Sequence, residues 1–238
     1  MNIAIVFAGG VGKRMNNNAK PKQFLELYGK PILIHTLEVF EHSENIDKIV
    51  VICVSEYIDK LKQYIYRYEL EKIEIIVPGG TNGFESIYNG LSSLEGLCTK
   101  EDIVLIHDGV RPFIDEQLID ANISCVKKNG NAITSVPTVE GIIVSSDSVS
   151  VDEFTDRKKM YATKAPQSFK YGEIFKLYKK AHEEGFEPIE SAHLCQHYGV
   201  KLYMVQGSYS NIKITTPTDY YVSKAICDAI ENSQLIGY

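Results

Sequence analysis

Ala8-Gly9-Gly10-Val11-Gly12-Lys13-Arg14-Met15, followed by Lys20-Pro21-Lys22-Gln23, sets three glycines beside four cations with no acid among them. Glycines after a strand let backbone N–H groups approach a phosphate closely, because no Cβ intervenes. Lys13, Arg14, Lys20 and Lys22 supply positive charge where a polyphosphate would lie. The segment is not a P-loop, since Phe7 and Arg14 stand where that motif needs its first glycine and its Ser or Thr. Nor is it the dinucleotide fingerprint, whose third glycine would fall at Met15.

Other segments carry further chemistry. Pro78-Gly79-Gly80-Thr81, leading to Glu85 and Ser86, is a second glycine turn able to wrap a base or ribose, or simply to join strand to helix. His107-Asp108-Gly109-Val110-Arg111-Pro112 ends an apolar run with a carboxylate that can bind substrate hydroxyls or Mg²⁺. Pro112 and Asp115 place the next helix cap further along, which frees Asp108 for that use. Arg157, within Thr155-Asp156-Arg157-Lys158-Lys159, can grip a phosphate bidentately, although such a charge run is also a common solvated face. In Asn211-Ile212-Lys213-Ile214-Thr215-Thr216-Pro217 a lysine sits inside an apolar strand, where it needs an anionic partner. Ala165-Pro166-Gln167-Ser168-Phe169 reads as a loop of no evident role. No Ser/His/Asp or Cys/His nucleophilic set is present, and His193 and His197 read as helix surface without a third metal ligand.

The elements that must position these residues alternate. Strands are expected at Ile3–Phe7, Lys48–Val54, Ile73–Val77, Ile103–His107 and Ala132–Val136, with helices at Pro31–Phe40, Tyr57–Tyr68, Phe84–Leu94 and Glu116–Lys128. Such alternation implies α/β architecture: a mostly parallel sheet covered on both faces, with ligands at the strands' carboxyl ends. Residues 138–156 break the rhythm with a hairpin, a projecting β-arm suited to dimerisation or to covering a site. Helices near Tyr171–Glu183 and Ser191–His197, strands at Lys201–Val205 and Ile212–Thr215, and a helix from Pro217 complete a single domain over 1–238. The 238 residues carry 44% hydrophobic and 24% charged residues, ordinary for a globular chain. A net charge of −6 argues against nucleic-acid partners, and no run is long enough for a membrane span. Five dispersed cysteines, without a C-x-x-C pair, fit a reducing cytoplasmic setting.

Taken in order, the glycine loop with PKQ, the GG-T…ES segment, HDGVRP, TDRKKMY…APQSF and NIKITTPTD resemble the cytidylyltransferases of sugar-alcohol phosphates, over nearly the whole chain. That resemblance implies a Rossmann-like nucleotidyltransferase fold and a homodimer intertwined through the arm. It implies transfer of a cytidylyl group from CTP to a polyol phosphate, such as ribitol 5-phosphate or 2-C-methyl-D-erythritol 4-phosphate, with Mg²⁺ and release of pyrophosphate. By position it assigns Arg14, Lys22 and Lys213 to catalysis at the phosphates. It assigns Ala8, Gly9, Gly10 and Gly12 to the nucleotide's phosphate loop, and Gly80 and Ser86 to cytosine. Asp108 and Arg111 fall at the acceptor, with Asp108 also near the metal, and Arg157 meets the acceptor phosphate in the other subunit. Phosphoryl-type transfer to an anionic oxygen needs positioning and charge neutralisation more than a general base, which agrees with this cation-rich set. Gly83, Ala165 and Ile189-Glu190 depart from the family pattern, so the nucleotide half is better preserved than the acceptor half. Alternatives left open are another NTP, a sugar 1-phosphate, or a non-catalytic nucleotide-binding module.

Overall fold

The computed structural model describes residues 1–10 and 20–236. In chain order the strands begin with β1 (Asn2–Ala8), the short pair β2 (Glu26–Leu27) and β3 (Lys30–Pro31), β4 (Lys48–Cys53), β5 (Ile73–Pro78) and β6 (Ile103–Asp108). They continue with β7 (Asn131–Pro137), β8 (Ile143–Val144), β9 (Glu153–Phe154), β10 (Tyr161–Lys170) and β11 (Met204–Gln206). The helices are α1 (Ile32–His42), α2 (Ile58–Arg67), α3 (Gly83–Ser92), α4 (Glu116–Asn129), α5 (Tyr171–Glu184), α6 (Ser191–His197) and α7 (Pro217–Ile236).

Seven strands form the central sheet in the order β11-β7-β10-β6-β1-β4-β5. β1, β4, β5 and β6 pair in parallel, as does β11 with β7, while β10 runs antiparallel between β6 and β7. Side chains of a strand alternate between faces, and the core divides accordingly. Ala4, Val6 and Ala8 of β1 join Ile49, Val51 and Leu105 beneath α1, α2 and α4. Ile3 and Ile5 join Val50, Ile52, Val104 and Ile106 on the opposite face with α3, α5 and α6. Helices on both sides bury both faces, which is why these strands are continuous apolar runs rather than alternating ones.

Two expectations are corrected. Ala165–Phe169 is not a loop but lies within β10, in the middle of the sheet. Ile212–Thr215 is not a strand; it docks through a single backbone bond, Ile214 N–H to the Val110 carbonyl at 3.0 Å. The 138–156 hairpin is present, but its ladder is only β8 with β9, pairing Ile143 with Phe154 and Val144 with Glu153.

Candidate active site

β1 is the strand at which the chain changes direction across the sheet: β4 and β5 are laid down on one side of it and β6 on the other. In open α/β sheets the crevice outside such a switch point is where ligands bind. Phe7 of β1 stands in register with Asp108 of β6, and Gly109 N–H donates to the Phe7 carbonyl at 2.8 Å. A Cβ on Gly109 would lie 2.8 Å from Leu33 Cδ1 and 3.2 Å from Ala8 Cβ, so a side chain there would make Leu33 shift where the β6 loop passes close to β1.

Asp108 is thereby held at the crevice. Its Oδ2 accepts from Arg111 Nε at 2.8 Å and its Oδ1 from Lys213 Nζ at 2.5 Å. The Arg111 Nη1 donates to the Asn211 carbonyl at 2.8 Å, and Asn211 Nδ2 donates to the Ala165 carbonyl at 2.7 Å. Three segments far apart in sequence (the β6 loop, residues 211–215 and β10) thus converge on one carboxylate. Burial alone would raise the Asp108 carboxyl, but Lys213 and Arg111 outweigh it and hold it well below the usual carboxylate range. The sequence expectation that Lys213 needs an anion is met within the chain, by Asp108.

His107, just behind, is buried, edge-on to Phe40, with Nε2 3.2 Å from the Arg111 carbonyl. Desolvation pushes its imidazole down to about 4, with the charges of Arg111 and Lys213 adding to that against Asp108. It is neutral near pH 7.

Asp108, Arg111 and Lys213 line a cavity of about 270 Å³ closed on its far side by Lys164 of β10 and by Ile189 and Glu190 before α6. Its size suits a small molecule. Gln167, of β10, shapes this wall: its Nε2 donates to Glu190 Oε2 at 2.9 Å, and its Oε1 accepts from Ala192 N–H at 2.8 Å, capping α6. Thr163 Oγ1 donates to the same Glu190 oxygen at 3.1 Å. Sequence reasoning missed Lys164 and Gln167 as site residues because the strand that presents them has no apolar run to announce it, and it noted Glu190, before α6, only as a departure from the family pattern.

The two glycine turns meet beside this cavity. A Cβ on Gly79 would lie 3.2 Å from the Gly9 Cα. Ser86 is buried; its Oγ accepts from Gly80 N–H at 2.9 Å and donates to the Asn82 carbonyl at 2.7 Å, bracing the turn that carries Gly80. Asn82 caps α3, its side chain accepting from Glu85 N–H at 2.8 Å. Buried Gln23 donates from Nε2 to the carbonyls of Ala8 at 2.6 Å and Gly10 at 3.2 Å, holding the start of the loop. The glutamine of PKQ is therefore a support that spacing alone did not reveal. Lys22 opens a single 3-10 turn, Lys22–Phe24, next to it. Among the described residues nothing lies within 4 Å of where a Cβ on Gly10, or on Gly83 at the start of α3, would sit. Lys20 pairs with Glu26 at 3.2 Å on the surface. Gly12 and Arg14, with Lys13, lie outside the described residues.

Arg157 does not line the Asp108 cavity of its own chain. It begins a 3-10 turn capped by Asp156, and its Nη1 donates to the Val139 carbonyl at 3.1 Å, across the base of the hairpin. Asp115 caps α4, accepting from Leu118 N–H at 2.8 Å, as Pro112 and Asp115 led one to expect. Among the described residues no group of three or more His, Cys, Asp or Glu is placed to hold a metal, so Asp108 would act as a lone protein carboxylate.

The family model for 2-C-methyl-D-erythritol 4-phosphate cytidylyltransferase matches residues 2–229. The chain is 47% identical over 238 residues to a ribitol-5-phosphate cytidylyltransferase of Streptococcus agalactiae serotype Ia, covering all of both chains. It is 37% identical over 227 residues to a 2-C-methyl-D-erythritol 4-phosphate cytidylyltransferase of Clostridium acetobutylicum, covering 95% of this chain and 97% of that one. Among solved structures, the 4-diphosphocytidyl-2C-methyl-D-erythritol synthase of Anaerococcus prevotii superposes with a TM-score of 0.82 at 29% identity, covering 95% of this chain and 96% of its own.

Proposed function

The chain belongs to the 2-C-methyl-D-erythritol 4-phosphate cytidylyltransferase family, and on that premise we propose that it transfers a cytidylyl group from CTP to ribitol 5-phosphate. The observation that carries this reading is the Asp108–Arg111–Lys213 cluster, set at the switch point beside two glycine turns. A buried ion cluster costs desolvation and is a poor way to gain stability; cations held there beside a small cavity are suited to neutralising two phosphorylated substrates. Higher identity to the ribitol-5-phosphate enzyme than to the methylerythritol one supports ribitol 5-phosphate as the acceptor.

In the reaction an oxygen of the acceptor phosphate forms a bond to the α-phosphorus of CTP, and the bond from that phosphorus to the bridging oxygen of pyrophosphate breaks. The nucleophile is already an anion, so no side chain has to take a proton. Ala8, Gly9 and Gly10, with Gly12, hold the triphosphate by backbone N–H groups. Gly80 and Ser86 shape the base pocket. Arg14, Lys22 and Lys213 offset charge building on the α-phosphate and on the leaving pyrophosphate. Asp108 and Arg111 orient the acceptor.

Mg²⁺ is ordinarily held by one or two carboxylates together with substrate phosphates. Asp108 fits that pattern, because each of its oxygens has a lone pair left beyond the one engaged by Arg111 or Lys213. It would hold Mg²⁺ jointly with the triphosphate, and the ion would withdraw charge from the phosphate oxygens.

The protein acts as a homodimer. Val149 is 91% and Phe154 74% exposed on a hairpin whose two-residue strands cannot cover them. A second copy of the arm would, and it would carry Arg157 to the acceptor phosphate in the partner subunit. The free cysteines support a cytoplasmic setting, and no helix among the described residues is long and apolar enough to cross a membrane.

Pyrophosphate release from CTP, UTP, GTP and ATP, each with ribitol 5-phosphate and with 2-C-methyl-D-erythritol 4-phosphate, tests the reading. CTP with ribitol 5-phosphate should give the highest kcat/KM. Turnover only with another nucleotide would refute the CTP assignment, and preference for the methylerythritol substrate would refute the ribitol one.

A further inference from the structure

We propose that Lys164 is a specificity-determining residue that binds the phosphate of the acceptor directly, from the β10 wall of the cavity. The inference rests on the reading above, that the cavity receives a polyol phosphate. It starts from how the other charged groups there are engaged. Arg111 is held by Asp108 and the Asn211 carbonyl, Lys213 by Asp108, and Glu190 by Gln167 and Thr163. Ser191 bonds with the Tyr178 hydroxyl at 2.9 Å. Lys164 is the one charged lining residue without a hydrogen-bond or ion-pair partner among the described residues.

Its surroundings make that position costly. Lys164 is half-buried, and the next residue along β10, Ala165, is apolar and buried. Burial lowers its ammonium group from the ordinary lysine value, and the nearby charge of Arg111 lowers it further. An anionic ligand would relieve a cation kept partly out of water beside another cation.

The cavity's lining points to the acceptor as the source of that anion. None of Ala8, Gly9, Gly10, Gly79 or Gly80 lines it. The glycine turns that suit a nucleotide lie beside the cavity, leaving this space for the second substrate. A phosphomonoester with hydroxyls matches its contents: Lys164 meets the phosphate, while the Glu190 carboxylate, also on the lining, is an acceptor for hydroxyls.

The test compares Lys164→Met and Lys164→Arg with the wild type in steady-state kinetics and in titrations with inorganic phosphate. A charge-assisted hydrogen bond lost from a partly buried site predicts roughly a tenfold or larger rise in the acceptor KM for Lys164→Met. The CTP KM should stay within about twofold, and Lys164→Arg should recover most of the loss. Inorganic phosphate should bind Lys164→Met correspondingly more weakly, and Lys164→Gln provides the same reading if the methionine variant fails to fold. An unchanged acceptor KM, or an equal rise in the CTP KM, overturns the inference. Should the wild type turn over no polyol phosphate, the reading of the reaction fails on its own; phosphate binding lost in Lys164→Met would then still support the anion site.

Discussion

The residue that organises this site is Asp108, and its neighbours fix how the site responds to pH. Arg111 and Lys213 both contact it, so a proton entering this neighbourhood would have to settle beside two cations. His107, buried just behind, refuses a proton chiefly because burial strips water from its charged form, and the two cations add to that. Its imidazole titrates near 4 in the folded chain, against about 6.5 when unfolded. Between those values the unfolded state binds a proton that the folded state refuses. The stability contribution is therefore fully present above about pH 6.5 and is lost as pH falls toward 4. From pH 7 to pH 5 this one group should cost on the order of 2 kcal/mol of unfolding free energy. Urea denaturation of the wild type and of His107→Asn at both values checks it. The wild type should lose more stability than the variant over that interval, and equal losses would show that His107 is not the group responsible.

The elements explain both what the sequence revealed and what it hid. β1, β4 and β6 were legible because each is sandwiched between layers of helices and is largely apolar. β10 was not, although it lies at the centre of the sheet. Its buried Gln167 and Ser168 are satisfied by side chains from other elements, Gln167 by Glu190 and Ser168 by donating to Asn122 Oδ1 at 3.0 Å. A strand stabilised by such long-range polar pairs carries no hydropathy signal. Lys213 misled in the other direction, because a short apolar run flanking a lysine reads as a strand when its partner, Asp108, is more than a hundred residues away. The glycine turns, by contrast, were visible by type, and the structure explains the demand for glycine at Gly80. A Cβ there would fall 2.4 Å from Glu85 Cβ and 3.0 Å from its backbone carbonyl carbon. Gly80→Ala must therefore shift either the turn or the first turn of α3. The expected result is a CTP KM raised about tenfold or more, as for the loss of an optimally placed polar contact, with the acceptor KM changed much less. Asn82→Ala, which removes only the α3 cap, should instead cost about 1 kcal/mol of stability and leave the KM ratio alone. Parallel kinetics and melting curves separate the two.

At the scale of the whole molecule, the unresolved pairing is between Arg157 and the cavity it is proposed to serve. Within one chain Arg157 is bonded across the hairpin base and lines no part of the Asp108 cavity. The hairpin also presents Ile143, Val144, Val149, Val151 and Phe154 to solvent. The proposed two-fold dimer would account for both facts at once: the same surface patch would pack on its own copy, and each arm would deliver its arginine to the other subunit's site. The arrangement makes a prediction that single-chain mechanisms do not. Arg157→Ala has an intact cavity and a defective arm, whereas Lys213→Met has the reverse. Each homodimer should be nearly inactive at low acceptor concentration. When the two variants are refolded together in equal amounts, half of the dimers are mixed, and each mixed dimer holds one wild-type site, built from one chain's cavity and the other's arm. Activity should then recover to roughly a quarter of the wild-type value for a symmetric dimer with independent sites. If Arg157 serves its own chain's cavity, every site in the mixture carries one defect and no activity returns. Pyrophosphate release from the co-refolded sample, measured beside each variant refolded alone, decides between them.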